Sequence, residues 1–495
     1  MKFAVLLALA ACSGPAAVPH VPRDRYEALT DTLAHVDSIE QLIPKLPEDL
    51  RRSFTFVYQS RSPQQDVDPL HPRVVLFGND ARIVLAFTGD PQGPDRDIVE
   101  LIRFRDDARA FEMERFVLPA AARRDPALAK LAGENGHANP SDCLRCHGAD
   151  PRPIFDSYPV WPGFYGSTQD AFAIAPDELA NYRTFLAGRT GVYAQLEYPA
   201  GSEVSPYSVD VVEDATGKLA PNMRLGMALT ELNRQRIARK LEASPLYSRY
   251  RDKLVAGLLG CAPLPITLDD RKRIQAQLDA EDAAKLDRAR IDGPDQRNRL
   301  RMTEVNSFDN FAQIEFMARV LDVSRADWSM AIEPGAYALY DGILSGRVND
   351  HGTPRDFYFK EDFLFEMLRH TPELFAMVPY EIDHRIGQRL DLHKALDGCE
   401  QFARHIPAVE WPAPQPVAPL VVYRCVRCHD PGGDGPEIPF DSPVRLHALL
   451  ASHPDLVGEI AARTTLEAPE RMPLDQTPLP KPQRNELLGY IDAVK

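Results

Sequence analysis

Between residues 51 and 119 the chain carries five short runs rich in β-branched and aromatic residues: "RRSFTFVYQS", "RVVLFG", "RIVLAFTG", "DIVELIRFR" and "AFEMERFVLP". The turn-forming stretches "GND" and "GDPQGPD" punctuate two of the joins. This pattern predicts an antiparallel β-meander over 51–119, serving as scaffold or docking surface. Residues 12–50 read as a tether and short helix.

Further along, the apolar period becomes that of a helix. The stretches "DELANYRTFLAG", "LTELNRQRIARKLEA", "LDDRKRIQAQLDAEDAAKLDRARI" and "FDNFAQIEFMARVL" place their apolar residues on one face. The third is so highly charged that it reads as a solvated, ion-pair-laced helix. Residues 136–408 are therefore expected to form a mainly helical domain. The proline-rich stretch 409–420 has no amphipathic period and reads as a semi-rigid linker. Beyond it, residues 421–495 form a last small unit. It ends in a helix with Leu487, Leu488, Tyr490, Ile491 and Val494 on one face.

The amino terminus, "MKFAVLLALAACSG", has a lysine, an apolar run from Phe3 to Ala11 and small residues before Cys12. That is the pattern of a secretory signal over residues 1–11. Leu9-Ala10-Ala11-Cys12 resembles the lipobox of bacterial lipoproteins. The resemblance implies a lipid on Cys12, with Ser13 behind it favouring the outer membrane. Simple cleavage after a small residue is the alternative. Either route implies export to the periplasm, where disulfides are permitted; the lipid would anchor the chain to the outer membrane. The 72 acidic residues outnumber the 57 basic ones. This balance argues against a nucleic-acid partner, which would require a basic face.

The chemistry lies in a motif that occurs twice. Cys143-Leu144-Arg145-Cys146-His147 and Cys425-Val426-Arg427-Cys428-His429 lie 282 positions apart. On one helical turn, residues i, i+3 and i+4 share a face. Two thiols there can add to the two vinyl groups of a porphyrin, and the next imidazole then points at the iron. C-x-x-C-H is read as the attachment site of a c-type haem. A structural zinc site needs four closely grouped ligands. A thioredoxin-like pair needs a βαβ context and has no use for the histidine. Two covalent haems are thus expected, on Cys143 and Cys146 and on Cys425 and Cys428, with His147 and His429 as iron ligands.

After the first motif, Phe155, Tyr158, Trp161 and Phe164 recur every third residue among prolines. An extended, polyproline-like path would line them along one edge. They are expected to wall the haem; in an enzyme, Tyr158 or Trp161 would be the catalytic candidate. For the sixth ligand of this iron, Met223 at the mouth of a helix is the first choice, with Met227 one turn on. His137 and an open position are the alternatives. Cys261 and Cys399 remain. In an exported chain they are expected to pair, or to stay as two separate buried thiols.

Residues 421–495 resemble the cytochrome c family: an attachment motif near the start, "GPEIPF" after it, then "ERMPLD" and a closing helix. The resemblance implies an all-α domain in which the closing helix packs on the haem-bearing one. It also implies that Met472 is the sixth iron ligand and that the carbonyl of Pro436 or Pro439 accepts the other ring N–H of His429. The fold class is then mostly α, with an amino-terminal β-meander and a carboxy-terminal cytochrome c domain. The pattern C-x-x-C-H-G…W-P-G-x-Y-G-S, from Cys143 to Ser167, resembles uncharacterised exported proteins and implies no activity. The expected function is electron transfer between periplasmic or membrane redox protein partners. The alternative is an enzyme whose first haem reacts while the second carries electrons, similar to dihaem peroxidases and, more loosely, to dihaem rubber oxygenases. A haem-bearing sensor ranks third. Oligomeric state is not legible.

Overall fold

The computed structural model describes residues 23–59, 67–153, 164–165, 176–198, 221–259, 261–273, 316–323, 380–383, 387–390, 408–412, 418–426, 435–465 and 479–495, with residues 276, 406, 416, 429 and 472. Its amino-terminal part is the expected meander. Strands β1 (Phe54–Val57), β2 (Arg73–Leu76), β3 (Ile83–Thr88), β4 (Ile98–Arg105) and β5 (Ala110–Val117) pair in chain order, all antiparallel. The register sets Phe54 opposite Leu76, Leu85 opposite Leu101 and Ile102 opposite Met113.

Helices cover both faces of this sheet, and β1, β2 and β3 accordingly read as nearly unbroken apolar runs, whereas β4 and β5 carry charged residues among their apolar ones. On one face Phe54, Phe56, Leu76, Leu85, Phe87 and Leu101 pack under Leu29 and Leu33 of helix α1 (Arg23–Ala34). Tyr26 of α1 donates to the buried Glu114 of β5 at 2.5 Å, fixing that helix to the sheet. On the other face Val57, Val75, Val84, Phe104, Phe111 and Met113 form a second core. That second core includes Cys143 of helix α2 (Ser141–His147). Helix α3 (Pro176–Gly188) sends Tyr182 and Phe185 into the first core. The long helix α4 (Pro221–Ala243) sends Leu225, Leu229 and Leu232 into the second. Proline opens both helices, where its missing N–H costs nothing.

Helix α5 (Tyr247–Leu259) follows. Strands β6 (Tyr380–Asp383) and β7 (Gly387–Leu390) form a hairpin within the stretch expected to be mainly helical. In β6 the apolar Tyr380 and Ile382 alternate with Glu381 and Asp383, a strand signal in a helical neighbourhood. At the carboxy terminus come α6 (Pro443–Ser452), α7 (Leu456–Arg463) and α8 (Lys481–Val494). Leu487, Tyr490, Ile491 and Val494 of α8 are buried with Val421, Val422, Val426, Leu446 and Leu450 in a separate core. The closing helix therefore packs on the chain beside Cys425.

The proline-rich segment is docked. Trp411 stacks on Tyr250 of α5 with ring centroids 6.0 Å apart and meets Phe316 edge-on at 5.2 Å. Lys253 lies 4.5 Å over its ring and donates to the Val409 carbonyl. A second tie joins Ser442, which caps α6, to Asp322 at 2.8 Å.

Candidate functional site

The first motif is held by the sheet. Asn139, with φ of 58°, donates its backbone N–H to the Met113 carbonyl at 2.7 Å, and its side-chain oxygen accepts from the Met113 N–H at 2.9 Å. Asn135 serves Val117 with its side chain alone: its amide oxygen accepts from the Val117 N–H at 2.8 Å and its amide N–H donates to the Val117 carbonyl at 3.0 Å. Two asparagines thus satisfy backbone groups on the outer rim of β5. Arg115 of β5 pairs with Asp142 in the first turn of α2. The helix carries Cys143 and Cys146 and ends at Gly148, whose φ of 83° suits glycine. Cys143 is a thiol, 9% exposed. The side chain of Cys146 lies outside the described residues.

His147 is half-buried. Its Nδ1 lies 2.6 Å from the Arg152 carbonyl. A carbonyl only accepts, so Nδ1 carries the proton and Nε2 keeps its lone pair, as a metal-binding imidazole requires. Burial pushes this ring's pKa down, against the opposing pull of that hydrogen bond and of Glu100. Glu100 pairs with Arg73 at 2.9 Å. Arg152 is itself buried and donates to the His147 carbonyl at 3.2 Å. Behind the motif, Asp150 faces Arg236, Arg239 and Lys240 of α4.

The second motif repeats the arrangement on an unrelated support. Residues Tyr423–Val426 are helical, and the His429 N–H reaches the Cys425 carbonyl at 3.0 Å. Cys425 is a thiol. His429 is 9% exposed, and its Nδ1 lies 2.6 Å from the Gly435 carbonyl. This corrects the expectation that Pro436 or Pro439 supplies the acceptor. The reason is steric: a Cβ on residue 435 would lie 2.8 Å from the ring's Cε1 and 2.9 Å from Nδ1. Only glycine brings its carbonyl so close without a clash. Phe440 meets the imidazole edge-on at 5.4 Å.

Met472 is half-buried, and its N–H donates to the Arg463 carbonyl at 2.7 Å, at the end of α7. Met223 and Met227 lie in the first two turns of α4, their side chains outside the described residues. Two residues beyond Met223, Leu225 shares a core with Cys143, so the first turn of α4 runs beside the first motif. His137 is exposed on the loop before α2. Of the aromatic series, Phe164 packs in the core that holds Cys143. Cys12, Tyr158, Trp161, Cys399 and Cys428 lie outside the described residues, as do residues 277–315. Cys261 is in a disulfide; its expected partner, Cys399, is among the positions just named.

The donor set fits a haem at each motif. A thiol and a tautomer-fixed imidazole come from one helical turn, and glycine opens space at the second. Among the described residues no group of three His, Cys, Asp or Glu forms a metal cage, and no helix is long and apolar enough to cross a membrane. The sequence reading missed Asn135, Asn139, Asp150 and Arg152. An asparagine pair in "GENGHANP" and an acid three places behind the motif were the available signals. Comparison with protein-family models, curated proteins and solved structures returned no match.

Proposed function

We propose that this chain is an exported dihaem c-type cytochrome that passes electrons between periplasmic or membrane redox proteins, held to the membrane by a lipid on Cys12. Cys143 and Cys146 attach one haem, and Cys425 and Cys428 the other. His147 and His429 are the near-side iron ligands. Met472 is the far-side ligand of the second haem, and Met223 that of the first. Residues 421–495 form the cytochrome c domain of this reading.

The observation that supports it best is the repeated imidazole. Two histidines, each directly after a C-x-x-C pair, hold Nδ1–H on a backbone carbonyl at 2.6 Å. The acceptors differ, one five and one six residues downstream, yet both leave Nε2 as the ligand atom. When bound, each haem supplies an iron that accepts or releases one electron. The chain's residues supply the covalent tether, the ring orientation and the exclusion of water: Cys143, His429 and Phe440 are buried. A thioether opposite an imidazole raises the reduction potential and leaves no iron position for a substrate.

The test is to express the full chain with a cytochrome c maturation system and weigh it. Two haem masses are expected, one lost in Cys143→Ala/Cys146→Ala and the other in Cys425→Ala/Cys428→Ala. A colourless product without added mass overturns the reading. Electron paramagnetic resonance of the oxidised protein then separates the roles. Two low-spin signals that ignore cyanide fit electron transfer, whereas a high-spin signal that shifts with cyanide or peroxide fits the enzyme alternative.

A further inference from the structure

An ion cluster behind the first motif joins the two elements that flank it. The Asp150 carboxylate lies 2.5 Å from Arg239 Nη2, 3.1 Å from Arg236 Nη2 and 3.2 Å from Lys240 Nζ. Arg236 Nη2 also donates to the Asp150 main-chain carbonyl at 2.7 Å. All three cations lie in the carboxy-terminal half of α4. The other half of that helix carries Met223 and packs Leu225 and Leu229 with Cys143.

The cluster is unlike a surface ion pair, which contributes little. Arg236 is 1% exposed, and a cation so enclosed persists only where its charge is met. The same end of α4 is fixed to the β4–β5 hairpin, where Arg239 donates to the Arg109 carbonyl at 3.2 Å and Arg109 pairs with Glu242. Asp150 therefore connects the loop that presents the Arg152 carbonyl to His147 with a helix whose position on the sheet is already set.

We propose that Asp150 is a positioning residue for the first haem: it straps the loop that orients His147 to the helix that carries Met223, and so sets how far apart the two sides of the pocket stand. This rests on the haem reading above. Burial alone would raise the acid's pKa, but Arg236, Lys240 and Arg239 outweigh it and bring it down to about 2, so the strap stays charged at neutral pH.

The experiment uses the full chain with both haems attached, as Asp150→Asn, Asp150→Glu and the double variant Arg239→Gln/Lys240→Gln. Asp150→Asn removes the negative charge facing the buried Arg236 and risks misfolding. The double variant removes the two more exposed cations and decides the matter if Asp150→Asn does not fold. Mass spectrometry first counts the haems; a parent protein that carries none overturns the haem reading, and the positioning role falls with it. Paramagnetic resonance and cyanide titration then follow each haem. The expected result is partial loss of the first haem's low-spin signal, with a cyanide-sensitive high-spin signal in its place that the parent lacks. That change should appear in Asp150→Asn and in the double variant, be largely reversed in Asp150→Glu, and leave the second haem unmoved. Two-haem variants whose first haem matches the parent in signal and in its indifference to cyanide overturn the proposal.

Discussion

A hydrogen atom in place of a methyl group decides the setting of His429. Because a Cβ at residue 435 would lie 2.8 Å from the imidazole, Gly435→Ala must push the ring off its carbonyl or move the loop. The expected outcome is a shifted or high-spin signal from the second haem with the first unchanged, read by paramagnetic resonance of the two-haem protein. Asp150 makes a different prediction. Its folded pKa is depressed from 3.8 to about 2. A depressed acid stabilises the fold above its unfolded value, and that contribution is lost as pH falls from about 4 to about 2. The shift corresponds to on the order of 2 kcal/mol. Urea denaturation at about pH 6 should separate the parent from Asp150→Asn, and the gap should close near pH 2. At this scale the two cysteine–histidine motifs were legible, because residue type and spacing carry the chemistry. The acceptors of the Nδ1 protons were not, since a backbone carbonyl leaves no mark in the sequence.

Among the elements, α6 shows how one hydroxyl serves two tasks. Ser442 accepts from the Arg445 N–H at 3.1 Å, capping the helix, and donates to Asp322 at 2.8 Å. Burial raises the Asp322 acid against the lowering effect of that hydroxyl. Ser442→Ala should remove the cap and the hydroxyl's bond to the carboxylate, costing about 1–2 kcal/mol by denaturant titration. Asp322→Asn keeps an acceptor without a buried charge and should cost less than Ser442→Ala. The meander was legible because its runs of β-branched and aromatic residues are separated by turn signals. The start of α4 was legible from Pro221 and the apolar spacing after it. The hairpin of Tyr380–Asp383 and Gly387–Leu390 was missed because its strands are four residues each, too short to stand out among helical periods.

Across the molecule, the segment read as a linker is a joint. Prolines predicted stiffness, but only the fold brings Tyr250, Phe316 and Lys253 to Trp411. Trp411→Ala should loosen that joint while both haems stay attached. Limited proteolysis checks this: cleavage within 409–420 should be several-fold faster than in the parent, with Trp411→Phe in between.

The wrapping of the sheet has one further consequence. Asn135 and Asn139 occupy the outer rim of β5, and at the opposite rim Val57 bridges to Phe164 while the Tyr165 N–H reaches the Phe56 carbonyl at 3.0 Å. One stretch of chain, interrupted by the first cysteine–histidine motif, therefore shields both margins against strand addition by a neighbouring molecule. On the proposed haem reading, chains that lack the cofactor should be the ones that clump, with light scattering rising in preparations made without the maturation system.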